Sequence, residues 1–445
     1  MPSLQFCFVI VSIASVAAQN LDKVFHYQPE QVHLAFGAST RDFVVTWSTR
    51  DNTKTSICEY GFETFEFVQN ATQPPEKFVD GGSARNTQYI HRIVLSHLQP
   101  DKRYIYHCGS SLGWSPQFWF RTPPAHADWS PSLAIYGDMG NENAQSLPRL
   151  QQETQRGMYD TVLHVGDFAY DFNSENGAVG DEFMRQVEAI AAYVPYMVCA
   201  GNHEQAYNFS HYRRRFSMPG GADNLFYSFD LGPIHFVAFS TELYYFLHYG
   251  LKSVLFQYEW LVRDLEKANR PENRAKQPWI ITIGHRPMYC SNDNGDDCSH
   301  HQTVVRTGLP VLHMFGLEQL FYEQGVDVTI WAHEHCYERL WPIYDYKVMN
   351  GSIKEPYHNP RAPVHIITGA AGNSEGREPF FKVIPKWSAF HSQDFGYTRL
   401  KAHNGTHLYF EQVSDDKNGK VIDSFWVVKD KGFSYVKDQD FIART

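Results

Sequence analysis

Over residues 31–122 apolar and polar positions alternate in short runs: Val32-His33-Leu34-Ala35-Phe36, Phe43-Val44-Val45-Thr46-Trp47, Ile57-Cys58-Glu59-Tyr60, Ile90-His91-Arg92-Ile93-Val94-Leu95, Tyr104-Ile105-Tyr106-His107-Cys108 and Phe118-Trp119-Phe120. Turn residues separate the runs, which predicts a β-sandwich of about 100 residues with its aromatics in the core. The connection Arg121-Thr122-Pro123-Pro124-Ala125-His126 ends that pattern. Beyond it, helix-period segments over 145–158, 181–193, 254–268 and 316–324 fall between apolar runs near Leu133, Val162, Met197, Ile234, Ile281 and Val328. This alternation implies βαβ units with helices on both faces of a sheet, an α/β domain. Strand-like runs return at Tyr397-Thr398-Arg399-Leu400, Leu408-Tyr409-Phe410 and Ser424-Phe425-Trp426-Val427-Val428, read as further sheet of the same domain.

The apolar run Val162-Leu163-His164-Val165 is too short for a stable helix and is followed by Gly166-Asp167-Phe168-Ala169-Tyr170. It reads as a buried parallel strand bringing a carboxylate to its C-terminal end, where open α/β sheets bind ligands. Four more runs end alike: Asp138 follows Gly137, Asn202-His203-Glu204 follow Gly201, His285 follows Gly284, and His333-Glu334-His335 follow Ala332. One such ending carries little weight, but five in series predict a preassembled metal centre. Carboxylate and amide oxygens with imidazoles suit Fe, Zn or Mn, and seven such groups exceed what one ion can use. Two ions roughly 3.5–4 Å apart need a bridging carboxylate, and Asp167 has the central position for it. Two runs carry no evident ligand, 234–239 before Ser240-Thr241-Glu242 and 364–368 before Gly369-Ala370-Ala371-Gly372-Asn373; His235 and His365 within them read as packed core histidines.

The formal net charge of −10 argues against a nucleic-acid partner. It leaves room for an anionic substrate, because 22 histidines shed negative charge in an acidic compartment and bound cations dominate a local field. The apolar segment 4–18, ending in Ala17-Ala18, suits a secretory signal over residues 1–18, although the usual basic n-region is missing. Sequons at Asn70, Asn208, Asn350 and Asn404 suit a secreted or lysosomal glycoprotein. No later stretch reaches the roughly 18 apolar residues of a transmembrane segment. Cys7 leaves with the signal, and of the other six cysteines the expected disulfides are Cys58 with Cys108, on separate strands of the sandwich, and Cys290 with Cys298, bracketing a polar loop. Cys199 and Cys336, beside strand-end motifs, read as buried thiols.

The blocks Asp138-x-Gly140, Gly166-Asp167-x-x-Tyr170, Gly201-Asn202-His203-Glu204, Gly284-His285 and His333-x-His335 resemble the motif set of the purple acid phosphatases, within the calcineurin-like metallophosphoesterases. Cys336-Tyr337-Glu338-Arg339, Gly372-Asn373-x-Glu375-Gly376 and Phe395-Gly396-Tyr397 extend the resemblance, which is greatest to the animal high-molecular-weight, type 7-like members. Most of the wider superfamily has Asp-x-His at the first block and lacks the tyrosine; here Gly140 stands in the first and Tyr170 is present. Leu98-Gln99-Pro100 followed by Tyr104 and Tyr106, with Trp47 on an early strand, resembles the fibronectin type III pattern for the sandwich over 27–122, and an αββα-type layered catalytic domain is expected over 130–430, with its C-terminal strands from about 362.

The phosphatase resemblance further implies Fe(III) on Asp138, Asp167, Tyr170 and His335, and a divalent Zn, Fe or Mn on Asp167, Asn202, His285 and His333. The activity implied is acid hydrolysis of small phosphate monoesters by a metal-bound hydroxide, with His203 binding the phosphate or protonating the leaving oxygen and Glu204 orienting a ligand. Two features depart from the family: Ala332 replaces the usual glycine of the last block, and His300 and His301 follow a loop unlike that of plant members, so an exposed pair is the plainer reading. A phosphodiesterase or nucleotide pyrophosphatase on the same site stays an alternative, as does a non-catalytic extracellular binding protein working through the sandwich. The oligomeric state stays open, a homodimer among the options.

Overall fold

The computed structural model describes residues 26–62, 68–69, 73–311 and 313–436. The expected leader over 1–18, Cys7 and the Asn70 sequon lie outside the described residues.

The alternating N-terminal runs form two antiparallel sheets. One has the order Glu30–Phe36, Phe43–Thr49, Thr87–Leu95, Glu76–Val79. The other is built on Ile57–Gly61 and Arg103–Ser110, with Phe118–Arg121 paired to the latter. Phe43 stacks on Phe120 with ring centroids 4.5 Å apart, and Trp47 stacks on His91 at 4.8 Å, so the aromatics fill the sandwich as the alternation demands. The expected Cys58–Cys108 disulfide is absent: the two are cross-strand partners with Sγ atoms 3.1 Å apart, but both are free thiols. Burial pushes the Cys108 thiol well above its usual pKa, which disfavours the thiolate that oxidation needs. Cys199 and Cys336 are buried thiols, and Cys290 is bonded to Cys298.

The second domain holds two sheets rather than one with helices on both faces. Tyr196–Cys199, Thr161–Val165 and Ser132–Tyr136 run parallel, and the C-terminal strands Gly396–Asn404, His407–Ser414 and Lys420–Val428 extend that sheet antiparallel. The second sheet has the order Tyr227–Leu231, Ile234–Ala238, Trp279–Ile283, Val328–Trp331, Val364–Thr368, Tyr337–Leu340, Ser388–Ser392. The sheets meet where Thr368 Oγ1 lies 2.9 Å from Thr398 Oγ1, and the strands Thr161–Val165, Trp279–Ile283 and Val364–Thr368 are buried along their whole length. Helix Ala178–Ala191 covers the first sheet, with Phe183 against His164. Helices Leu251–Ala268 and Leu317–Glu323 cover the second. Leu251–Ala268 buries Val254, Gln257, Leu261, Leu265 and Ala268, a stripe spaced by three and four residues as one helix face requires. These helices lie on the outer faces, and the continuous apolar strands follow from burial on both sides.

His365 is a core histidine, its pKa lowered to about 3 by burial. His235 is not: it bridges Asp230 at 2.6 Å and Asp264 at 2.9 Å, and these carboxylates overcome the effect of burial and raise it to about 9. The sandwich packs on the first sheet's helix side, where Tyr106 donates to the Ala192 carbonyl at 2.7 Å and Asp80 pairs with His211 at 2.7 Å. Among the described residues no helix is long and apolar enough to cross a membrane.

Candidate metal centre

Five strands end at one place. Ser132–Tyr136, Thr161–Val165 and Tyr196–Cys199 of the first sheet, and Trp279–Ile283 and Val328–Trp331 of the second, each run into a short loop bearing the predicted donors. Asp138, Asp167, Tyr170 and His333 have φ of 57°, 51°, 53° and 69°. Left-handed backbone at non-glycine residues clusters where function over-determines it, and here it turns each side chain back across the strand ends. The loops approach so closely that a Cβ at Gly201 would lie 2.2 Å from Asp167 Oδ1. The Ala332 methyl is accommodated because Gly137 faces it: a Cβ at Gly137 would lie 2.4 Å from that of Ala332.

The predicted donors form two adjoining groups. In one, Tyr170 Oη lies 3.2 Å from Asp138 Oδ1 and 2.8 Å from His335 Nε2. In the other, His285 Nε2 lies 3.1 Å from Asp167 Oδ2 and 3.2 Å from Asn202 Oδ1, and His333 brings a nitrogen within 4.8 Å of ligand atoms of Asp167 and His285. The groups are stitched by the His333 amide, which donates to Asp138 Oδ2 at 2.9 Å. Asp138, Asp167, His285 and His335 are buried; Tyr170, Asn202, His203 and His333 are partly exposed and mark the open side. His285 Nδ1 meets the Val165 carbonyl at 2.8 Å, so Nδ1 carries the proton and Nε2 is free to ligate.

Electrostatics fit a cation pair. Burial, with Asp167 adding, pushes Asp138 well above the usual carboxylate range, and burial with Asp138 does the same to Tyr170. Burial would also raise Asp167, but the imidazoles of His285, His203 and His333 outweigh it and hold that carboxyl below its usual range. Oxygen donors this deep, facing one another among imidazoles, are a donor set that hard cations would satisfy.

His203 stands on the open side, its ring 4.3 Å from that of Tyr170. Its Nδ1 is 3.0 Å from Asp171 Oδ1, and its Nε2 is 3.6 Å from Glu375 Oε1 and 4.0 Å from Asp167 Oδ2. Burial would lower its pKa, yet Asp171, Asp167 and Glu204 raise it to about 9. Glu204 accepts the amides of Asp167 at 2.9 Å, Phe168 at 3.1 Å and Gly201 at 2.9 Å, and so binds two ligand loops together.

His301 stacks on Tyr346 at 4.6 Å, and the Tyr346 hydroxyl donates to the His300 carbonyl; among the described contacts neither imidazole meets a donor residue. The disulfide-bracketed loop instead brings Asp296 to His333, and the residue after His285 brings Arg286 there. Sequence reasoning gives no role to Asp171, Arg286, Asp296 and Glu375; for Asp171 and Arg286 the available signal is adjacency to a ligand, and for Glu375 its place in the block Gly372-Asn373-x-Glu375-Gly376. Of the sequons described, Asn404 is exposed, whereas Asn208 and Asn350 are half-buried.

Residues 131–337 match the family described as calcineurin-like phosphoesterase, 29–122 the purple acid phosphatase N-terminal domain, and 362–424 the iron/zinc purple acid phosphatase-like protein C. Acid phosphatase type 7 of Danio rerio is 55% identical over 94% of this chain and 95% of its own length. The chain belongs to the purple acid phosphatases. Acid phosphatase type 7 of Homo sapiens is similar at 50% identity over 96% of this chain and 97% of its own. A purple acid phosphatase from yellow lupin seeds superposes with a TM-score of 0.75 at 26% identity, covering 91% of this chain and 75% of its own. As a purple acid phosphatase this chain is a hydrolase of phosphoric monoesters with a dinuclear metal centre that includes iron.

Proposed function

We propose that Fe(III) is held by Asp138, Asp167, Tyr170 and His335, that a divalent ion is held by Asp167, Asn202, His285 and His333, and that His203 serves the substrate's phosphate. The observation that carries this is the place of the Tyr170 hydroxyl, 3.2 Å from Asp138 and 2.8 Å from His335. Burial beside Asp138 makes that phenol hard to ionise, and a trivalent cation is what draws off such a proton. The second group carries less charge, a neutral amide and two imidazoles beside the shared carboxylate, which suits Zn, Fe or Mn. The iron/zinc description of the matching C-terminal family supports zinc among these.

When bound, the cations supply Lewis acidity and acidify water at the centre, which makes hydrolysis below neutral pH reasonable. The chain's own residues do the rest. Asp171 on Nδ1 turns His203 so that Nε2 faces the open side, where it donates to a phosphoryl oxygen or gives its proton to the leaving ester oxygen. Glu204, through three amides, keeps Asp167 and the Gly201 loop in register. The apolar segment 4–18 and the four sequons support a secreted or lysosomal glycoprotein, with Asn404 the exposed acceptor among those described.

The test is the visible spectrum and metal content of the purified protein beside Tyr170→Phe. A broad visible band lost in the variant, with about two metals per chain, is expected of a tyrosinate-ligated ferric ion. Iron bound without any visible band overturns the assignment of Tyr170.

A further inference from the structure

The strand Ile234–Ala238 ends in Ser240-Thr241-Glu242, a strand end with no predicted ligand. Its purpose in the fold is to hold Arg286. Glu242 is fully buried and takes Arg286 Nε on both oxygens, at 3.2 and 3.1 Å, while Thr241 Oγ1 accepts the Arg286 amide at 3.0 Å. Tyr245 lies under the guanidinium with Cζ 4.5 Å from its ring centroid. One edge of the guanidinium is thus immobilised. The other points at the metal centre: Nη1 is 2.8 Å from His333 Nε2 and 3.7 Å from Asp296 Oδ1, and Nη2 has no hydrogen-bond partner among the described residues.

A fixed positive charge beside residues that hold cations is repelled unless an anion lies between them. In this structure the anion is Asp296, brought in by the Cys290–Cys298 loop to touch His333. A phosphoryl group offers the same charge with more acceptor oxygens, and a guanidinium fork matches two of them at once. The geometry points to Arg286 as a catalytic and specificity-determining residue that grips the substrate's phosphoryl oxygens, takes them in place of Asp296, and favours monoester dianions over diesters. This rests on the phosphatase reading above. A diester has one charge fewer, and its second ester oxygen removes an acceptor the fork would use. The gripping group is accordingly not His300 or His301, whose loop faces Tyr346.

The test uses the metal-loaded enzyme, wild type beside Arg286→Gln and Arg286→Lys. It compares kcat/KM for p-nitrophenyl phosphate and bis(p-nitrophenyl) phosphate, with metal content and the calorimetric affinity for inorganic phosphate measured separately. Charge-assisted hydrogen bonds of this kind translate into about a 10- to 100-fold loss of monoester kcat/KM and of phosphate affinity in Arg286→Gln. The diester should change less than about threefold, with metals retained, and Arg286→Lys should fall between the two because it keeps the charge without the fork. Equal losses on both esters, an unchanged phosphate affinity, or loss of metal overturn the proposal, the last because Arg286 would then act by positioning His333. Should Arg286→Gln fail to fold, the monoester-to-diester ratio and phosphate affinity of Arg286→Lys decide, and their being unchanged overturns it. A wild type inactive on both esters overturns the phosphatase reading itself, whereas an active wild type with variants of unchanged ratio overturns only the role of Arg286.

Discussion

Replacing Asp171 by Asn removes a charge from the back of His203 and leaves the backbone undisturbed. Asp171 has a φ of 97°, a conformation that Asn tolerates far better than Ala, so the substitution reports on charge and not on strain. Its carboxylate lies 3.0 Å from His203 Nδ1 and stands foremost among the groups that lift that imidazole to about 9 against the effect of burial. A charge-assisted hydrogen bond is worth about 1.5–3 kcal/mol, or roughly 1–2 pH units at 1.36 kcal/mol each. Because the Asp171 side chain is 46% exposed and screened by water, the lower end applies, about one unit. The sign follows from the role of His203: as an acid it works protonated, so activity falls as pH rises through its pKa, and lowering that pKa moves the fall to lower pH. Bound cations will depress His203 in wild type and variant alike, so the displacement is the quantity to read, not the position. The assay is kcat/KM for a phosphate monoester against pH. A basic limb that stays in place while the rate merely scales would refute the assignment of His203 as the proton donor.

Gly201→Ala places a methyl where Asp167 Oδ1 now sits, at 2.2 Å, so metal content should fall well below two per chain; elemental analysis showing both ions retained would contradict the packing argument. His235 offers a test far from the centre. Its folded pKa of about 9 exceeds the ordinary 6.5, so its stabilisation is complete below about pH 6.5 and is lost as pH rises through about 9. Discounted for the 54% exposure of the Asp230 side chain, that amounts to about 2 kcal/mol, and His235→Asn should remove this part of the pH dependence of the urea midpoint.

The five ligand-bearing strand ends are legible in the sequence because burial on both faces leaves uninterrupted apolar runs, and a polar residue at the end of such a run is conspicuous. What is not legible is how many sheets those runs form, since strands of one sheet and of two facing sheets carry the same pattern. One boundary lies between Tyr196–Cys199 and Tyr227–Leu231, across the largely polar helix Ala206–Arg215, and the chain crosses back between Ser388–Ser392 and Gly396–Asn404. His235 shows the same limit at one residue: its place in a strand is readable, but Asp264, which joins Asp230 in making it charged, arrives from a helix 29 residues away. For Arg286 the sequence offers only its place next to His285; its role shows once Glu242 and His333, from separate strand ends, are seen on either side of it.

The centre is also a strained part of this fold. Four ligand residues hold left-handed backbone, each at a cost of about 1–3 kcal/mol, with the two aspartates toward the lower end because their side chains tolerate that region. The sum is comparable to the net stability of an ordinary domain, so it persists only because rigid elements over-determine it. Those elements are the strands fixed between two packed sheets and the Glu204 carboxylate, which ties Asp167, Phe168 and Gly201 by their amides. Cations bound to this site but not to the unfolded chain stabilise the folded state further by mass action. Strain, buried oxygen charge and metal affinity are therefore one arrangement: geometry that is costly when empty needs no reorganisation when the ions bind.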